Sequence, residues 1–177
     1  TLNPFKDSSA DLKVLLVSPG GFLANDLAFE LAKETASVLS ERNAPVEIFV
    51  IGGNRVKQDS SNFHVLGFVD SILPYIDNAD DCLLPYPKQA VCGGVRTKAV
   101  EFLSRRKLVV STREGVSGID MLSNGDSVII TGDHPPEIAE ALMCIAKDPA
   151  AYCRISEAGY YVSKQHYSYS SISERII

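Results

Sequence analysis

The segment with the clearest potential for chemistry is CGGVRTKAVE, residues 92–101. Gly93 and Gly94 would let the backbone approach a ligand closely, and the helix that follows would point its free N–H groups at the same place. Arg96 and Lys98 add two cations within the first turn of that helix, whose positive dipole end itself attracts anions. These features together predict an anion site suited to phosphate.

Glu101 follows Lys98 by three residues and should share its helix face. A carboxylate there can accept two hydrogen bonds from a vicinal diol such as a ribose. Phosphate cations, a glycine turn and a diol acceptor predict a nucleotide pocket with Arg96, Lys98 and Glu101 at its centre. The alternative is structural, namely a solvated Lys98–Glu101 ion pair on a helix that begins after a glycine loop.

Short apolar runs alternate with helix-like segments around this motif. The runs occupy residues 13–18, 46–51, 63–66, 82–84, 108–111 and 127–130. They are apolar throughout rather than in alternation, which is typical of strands buried on both faces. Asn25 or Asp26 is predicted to cap the helix after the first run. This order predicts one doubly wound, mostly parallel, Rossmann-like α/β domain over residues 1–177, with a helical tail over residues 149–177.

The loops at the carboxyl ends of the strands are the expected wall of the pocket, because ligands bind there in such sheets, where the strand order reverses. These loops comprise residues 19–22, 52–55 and 85–94 together with Val69. Four glycines in them would leave room for a ligand: Gly20, Gly21, Gly52 and Gly53.

Composition and charge exclude several classes of protein. The chain has 177 residues, is 45% apolar, and carries a net charge of −5 from 22 acidic and 17 basic side chains. That charge argues against a general binder of nucleic acid or anionic membranes. The sequence has no apolar run long enough to span a bilayer, and its start does not show a signal-peptide pattern. We therefore expect a cytoplasmic protein, and the first residue, Thr1, suggests a piece of a longer one.

Other reactive residue types are predicted to be structural. The cysteines show no C-x-x-C pair, which argues against a zinc site or disulfide staples and predicts reduced, mostly buried thiols: Cys82, Cys92, Cys144 and Cys153. His64 is predicted to be a strand residue. Asp80 and Asp81 are adjacent, so on a strand they would face opposite ways rather than form a catalytic pair. The tyrosines near the end are predicted to pack rather than to stack on a ligand: Tyr160, Tyr161, Tyr167 and Tyr169.

The order of motifs resembles a known family over nearly the whole chain. Gly67-Phe68-Val69 matches a G-x-V strand end, residues 94–101 match G-x-[KR]-x-K-x-x-E, and residues 109–112 match VV-x-[ST]. This run of matches is similar to the C-terminal, donor-binding domain of nucleotide-sugar glycosyltransferases with the two-domain GT-B fold, of the group 1 or family 4 type.

The resemblance implies a function and roles for the residues above. The domain would bind a nucleoside-diphosphate sugar without a metal or other cofactor, for transfer of a hexosyl, mannosyl-type group to an acceptor. Arg96 and Lys98 would neutralise the diphosphate, and Glu101 would hold the ribose hydroxyls. Gly93, Gly94 and Val95 would present backbone amides to the donor. An N-terminal domain outside this chain would carry most of the acceptor site and any membrane contact, and no nucleic acid is involved.

The sequence also departs from the family pattern. Many retaining members carry two glutamates eight positions apart, and the position eight before Glu101 is Gly93. Many also carry an Arg and a Lys after the first strand, where this chain has Gly20, Gly21 and Phe22. These departures leave the sugar and the stereochemical outcome of transfer open.

Other classes of function remain as alternatives. One is a non-catalytic nucleotide-binding or interaction module of the same fold, and another is half of a sugar-nucleotide epimerase, against which the scarcity of histidine counts. A nicotinamide-binding domain needs G-x-G-x-x-G after the first strand, and Gly20-Gly21-Phe22-Leu23 does not supply it.

Overall fold

A computed structural model describes residues 3–52, 60–91, 96–168 and residue 171, and the structural statements below concern these residues. Several predicted site positions lie outside this set: residues 53–55 of the predicted wall, and residues 92–95, which include Gly93, Gly94 and Val95.

A parallel sheet forms the centre of the described chain. Its strands are β1 (Leu12–Val17), β2 (Val46–Ile51), β3 (Phe63–Gly67), β4 (Asp81–Leu84), β5 (Leu108–Thr112) and β6 (Ile129–Thr131). All neighbours pair in parallel in the order β3-β2-β1-β4-β5-β6. This arrangement confirms the predicted doubly wound α/β sheet. The sixth strand begins two residues later than predicted, because residues 123–128 form a turn closed by the Ser127 hydroxyl and the Gly125 amide.

Helices cover both faces of the sheet. They are α1 (Leu23–Glu41), α2 (Leu73–Asn78), α3 (Thr97–Ser104), α4 (Pro135–Lys147) and α5 (Cys153–Tyr167), with short 3₁₀ turns at Glu114–Val116 and Pro149–Tyr152. The expectation that Asn25 or Asp26 caps the first helix is wrong. Phe22 occupies the N-cap position without a side-chain cap, and Asn25 lies inside the first turn with its side chain bonded elsewhere.

Side chains alternate between two apolar layers, which explains why the strands are apolar throughout. On β1, Leu12, Val14 and Leu16 pack with residues of α1 and α4 on one face of the sheet. Leu15 and Val17 pack on the opposite face with residues of α2 and α3. Because both faces are covered, ligands can reach the sheet only at its edges and at the ends of its strands.

The residues predicted to be structural have mixed outcomes. Cys82 is buried, but Cys144 and Cys153 are exposed free thiols, so the expectation of mostly buried cysteines is wrong for those described; both lie on outward-facing helix positions. His64 is a strand residue, as predicted, and its ring stacks on Phe49 and bonds Glu47 at 3.0 Å. Tyr160 packs between the Arg106 guanidinium, 3.8 Å away, and the Tyr161 ring.

Candidate functional site

The strand order reverses between β1 and β4, which are neighbours in the sheet but are separated in the chain by β2 and β3. The connection after β1 leads into α1 on one face, and the connection after β4 leads into α3 on the other. A crevice therefore opens above the carboxyl ends of these two strands, the usual ligand position in sheets of this type.

Lys98 is positioned over this crevice by partners from both sides. It is the second residue of α3, and its Nζ donates to Oδ1 of Asn25 at 3.0 Å and to the hydroxyl of Tyr86 at 3.1 Å. Asn25 lies in the first turn of α1, after β1, and Tyr86 lies two residues after β4. The ammonium group thus joins the two elements that diverge at the point of reversal.

Tyr86 completes a closed triangle of hydrogen bonds with these partners. Its hydroxyl donates to Oδ1 of Asn25 at 3.0 Å, and its backbone carbonyl accepts a hydrogen bond from the Thr112 hydroxyl. Only 3% of the residue is exposed. A buried, bonded tyrosine is rigid, so it holds the Lys98 charge in place and shields part of it from water. We call Asn25, Tyr86 and Lys98 the lysine network.

Arg96 is held more tightly by protein groups than Lys98 is. Its Nη2 donates to the Ala90 carbonyl at 2.9 Å and to Oε1 of Glu114 at 3.0 Å, and its Nε donates to the Glu114 carbonyl at 3.1 Å. The guanidinium also lies 4.5 Å from the centre of the Tyr86 ring. Its side chain is 13% exposed. Arg96 therefore links the segment after β4 to the turn after β5, and Glu114 balances its charge.

Glu101 lies one turn further along α3 and is half-buried. Across the described ranges, its carboxylate has no hydrogen bond or salt bridge. The alternative of a solvated Lys98–Glu101 pair is therefore not formed, because Lys98 turns towards Asn25 and Tyr86 instead. The negative charge of Glu101 adds to the burial that raises the pKa of the Cys82 thiol. Among the described residues, the acceptor oxygens of Glu101 are therefore not used by another protein group.

The glycine loops bring neighbouring strand ends close together. Gly52 has a φ of +103°, and a Cβ on it would lie 2.9 Å from backbone atoms of Pro19. Its amide donates to the Gly67 carbonyl at 2.8 Å, so the ends of β1, β2 and β3 are tied together. Gly20 and Gly21 lie between β1 and α1, and Val69 is half-buried two residues after β3. Each described position of the predicted wall is thus at the carboxyl edge of the sheet.

An additional contact orders the loop after β4. The carboxylate of Asp133, just after β6, accepts a hydrogen bond of 2.9 Å from the backbone amide of Lys88. This bond is the main cause of the lowered pKa of Asp133. The loop between Pro85 and Val91 is therefore held from two sides, by Asp133 and by Arg96.

Exposed apolar side chains follow the carboxyl ends of three strands. Phe22, Phe68 and Val91 follow β1, β3 and β4, and they are 71%, 72% and 76% exposed. Leu23 beside Phe22 is 72% exposed. An apolar group of this kind on a protein surface often marks a contact with another molecule or domain.

Sequence reasoning missed three residues that build this site. Asn25 was interpreted as a helix cap, Tyr86 as part of a strand-ending loop, and Glu114 was not singled out. The flanking prolines of Tyr86 in the PYP segment were the one available signal, since they indicate a fixed turn after a buried strand.

No three His, Cys, Asp or Glu residues among those described are grouped so that they could hold a metal ion. The described helices include none with the length and apolar character needed to cross a membrane.

Solved structures with the same fold include TarM, the C-terminal domain of a glycosyl transferase group 1 family protein (LpcC) from Francisella tularensis, and HepE from Anabaena. TarM aligns with a TM-score of 0.76 at 12% identity over 97% of this chain and 35% of its own. The LpcC domain aligns at 0.73 and 16% identity over 93% of this chain and 90% of its own. HepE aligns at 0.74 and 15% identity over 93% of this chain and 47% of its own.

This chain therefore spans 35% of the length of TarM and 47% of that of HepE, and at these identities the likeness shows the fold. None of the curated protein sequences compared with it matches. A family model described as Glycosyl transferases group 1 matches residues 13–148, from the first strand to the end of α4. The resemblance drawn from the sequence motifs is confirmed: the chain belongs to the glycosyl transferases group 1 family.

Proposed function

We propose that this domain binds the nucleoside-diphosphate sugar donor of a glycosyltransferase. The observation that carries the proposal is the lysine network, which holds one cation over the crevice between β1 and β4. In glycosyl transfer, negative charge develops on the departing diphosphate. A cation that is already fixed near that position can stabilise this charge without reorganisation.

We assign the diphosphate mainly to Lys98. Arg96 would add positive charge while it orients the loop after β4, since Glu114 already balances its guanidinium. Backbone amides of Gly93, Gly94 and Val95, and of Gly20, Gly21 and Gly53, would contribute further donors, while Gly52, whose amide bonds the Gly67 carbonyl, would leave room for the ligand. Val69 would contact the base, and no divalent metal would be required.

Glu101 would bind the ribose hydroxyls. Glu101 follows Lys98 by three residues on α3, a rise of about 4.5 Å along the helix axis. That is about the separation between a ribose and its own diphosphate, and no partner among the described residues occupies the carboxylate, which would leave it available for two hydroxyl donors.

The relatives suggest which donor to test first. HepE has been solved in complex with UDP and glucose, and separately with UDP-glucose. UDP and a UDP-hexose are therefore the first ligands to offer to this chain. We also propose that the transferred group is a hexosyl unit and that transfer takes place in the cytoplasm.

The exposed apolar side chains suggest where a second domain would lie. Phe22, Phe68 and Val91 are exposed at the carboxyl ends of strands, and a domain packed on them would cover the donor and carry the acceptor. The isolated chain should accordingly bind the donor and transfer poorly.

The proposal is tested by titration calorimetry of the chain with UDP, GDP and ADP in the presence of a chelator. We expect saturable binding of at least one of them and a loss of about 1.5–3 kcal/mol in Lys98→Ala, the usual value of a hydrogen bond to a charged group. Lys147→Ala is the matched control, because Lys147 is exposed at the far end of α4. Equal affinities in both variants would refute the assignment of Lys98.

A further inference from the structure

A second cavity lies at the amino ends of the strands, on the side of the sheet opposite to the crevice. It has a volume of about 280 Å³. Its walls come from the starts of β1 and β5, the end of α4 and the turn before α5, and its apolar lining consists of Leu12, Leu108, Ile145 and Tyr152. Nothing in the proposed donor site uses these residues.

The most deeply buried carboxyl group that lines this cavity is that of Asp81. Along β4, Cys82 and Leu84 belong to the apolar layer with α3, and Leu83 belongs to the layer with α4. Because side chains alternate on a strand, Asp81 shares the face of Leu83 and points to the same side as Leu12 and Leu108. Asp81 is 8% exposed, and its Oδ2 is buried without a hydrogen-bond partner among the described residues.

The nearby cations are bonded to other groups. Lys13 pairs with Asp80 at 3.7 Å, and its backbone amide bonds the same carboxylate. Arg106 bonds Glu157 at 2.9 Å. Lys107 donates to the carbonyls of Asp77 and Ala79.

The cavity therefore has a surplus of negative groups. Asp11 and Asp80 line it together with Asp81, and Arg106 is its one basic lining residue. The pKa of Asp81 is raised to about 7, mainly by burial and also by the charge of Asp80, while Lys107 opposes the shift. A buried carboxyl group without a counter-ion is the arrangement that a cationic ligand would relieve.

We propose that this cavity binds the ammonium end of a small primary alkylamine, with Asp81 accepting its N–H and the alkyl stem lying along Leu12, Leu108 and Ile145. A single inner carboxylate with apolar walls fits an alkylammonium ion better than a metal ion, which needs several oxygen ligands. An anionic ligand is disfavoured by the three carboxyl groups.

Binding should be coupled to a proton. An ammonium ion favours the charged form of Asp81, so at a pH below the value at which this group titrates, binding releases one proton from its carboxyl group. The other titratable or charged groups that face the cavity are Asp11, Asp80, Arg106, Tyr152 and Cys153, and Lys107 acts from the start of β5.

The test uses the 177-residue chain and n-butylammonium chloride, with n-butanol as the neutral ligand of similar shape. Titration calorimetry and amide chemical shifts should show saturable binding of the amine and no binding of the alcohol. The affinity for the amine should be about tenfold or more weaker at pH 5.5 than at pH 8. In two buffers of different ionisation enthalpy at pH 6, the heats should report release of about one proton per amine bound. Equal binding of the alcohol, or affinity independent of pH, would overturn the proposal.

Two variants locate the site. Asp81→Asn keeps the shape of the side chain and should weaken amine binding by about tenfold or more. Asp126→Asn, at a carboxylate that is 67% exposed on another surface, should leave it unchanged. An unchanged affinity in a folded Asp81→Asn variant would refute the site. If that variant failed to fold, the proton release by the unaltered chain would still decide the question.

Discussion

The buried polar groups at the two ends of β4 differ in whether they have hydrogen-bond partners. At the carboxyl end, Tyr86 is buried but fully engaged, with Asn25 and Lys98 on its hydroxyl and Thr112 on its carbonyl. At the amino end, Asp81 is also buried, and its Oδ2 lacks a partner among the described residues. The first end holds its polar groups ready in fixed positions, whereas the second leaves an acceptor to be satisfied by something else.

This difference separates two meanings of a buried polar residue. A network with every member bonded adds rigidity and can place a charge at a chosen point. A lone buried carboxyl group lowers stability, because it is desolvated without compensation. It therefore indicates either a bound ligand or a carboxyl group that stays protonated because its pKa is raised. The comparison therefore predicts that changes at the two ends of the same strand have opposite signs: Asp81 lowers stability at neutral pH, and the groups at the other end raise it.

The largest expected effect is on stability at the amino end. The pKa of Asp81 rises from 3.8 to about 7 on folding, and each unit corresponds to about 1.4 kcal/mol. The folded state then holds a proton that the unfolded state has lost. This penalty is absent below about pH 4, grows as pH rises, and is complete above about pH 7.

Asp81→Asn removes this dependence. The free energy of unfolding of the variant, relative to the unaltered chain, should increase by up to about 4 kcal/mol between about pH 4 and about pH 8. Urea denaturation at several pH values measures it. Parallel pH profiles for the two proteins would mean that folding leaves the pKa of Asp81 unshifted, which would remove the contrast between the ends of β4.

A somewhat smaller effect is expected at the carboxyl end from Glu114→Ala. This change leaves the Arg96 guanidinium, 13% exposed, without its counter-ion, and breaking a largely buried pair costs about 3 kcal/mol. Denaturation with urea should show this loss. The matched control is Glu157→Ala, which breaks the exposed Arg106 pair and should change stability little. Equal effects of the two variants would show that the Arg96 pair is screened by water.

The sequence predicted the sheet well, for a physical reason. Strands buried on both faces are apolar throughout, and this signal is local, so the runs at residues 46–51 and 108–111 coincide with β2 and most of β5. The parallel orientation of the strands followed from the predicted helices between them, because a helical crossover returns the chain to the same end of the sheet. Boundaries that depend on turns, such as the start of β6, were less accurate because side-chain bonds within the turn decide them.

The site was predicted less completely, because its contacts are between residues far apart in the chain. Lys98 and Asn25 are 73 residues apart, and Tyr86 and Asn25 are 61 apart. The sequence indicated the cation and the crevice, but nothing local indicates which partners hold Lys98. The sequence also shows Asp81 at the start of an apolar run, but it does not show that the Oδ2 atom of this residue has no partner among the described residues.

Glu101→Gln sharpens the comparison by altering an acceptor that has no partner among the described residues and that we assign to a ligand. The amide keeps the shape but loses the charge and one acceptor oxygen. We expect ribonucleotide binding to weaken by about 2 kcal/mol and binding of the matching 2′-deoxyribonucleotide to change little. Titration calorimetry with both nucleotides measures the difference. Equal losses for the two would show that Glu101 acts on another part of the ligand.

The smallest expected effect comes from Tyr86→Phe, which tests whether a fully bonded network matters for function. The change removes one hydroxyl, so Lys98 and Asn25 each lose a bond of about 3 Å while the ring and its packing stay. Because Asn25 still accepts from Lys98, we expect the nucleoside diphosphate to bind about fivefold more weakly, or about 1 kcal/mol, as Lys98 becomes less fixed. The weakening should be greatest for the diphosphate and negligible for the nucleoside, which carries no phosphate for Lys98 to contact. Tyr161→Phe, at a ring that is 50% exposed, controls for the loss of a hydroxyl as such. If Tyr86→Phe weakened the nucleoside and the diphosphate equally, the hydroxyl would act by shaping the pocket rather than by positioning the lysine charge.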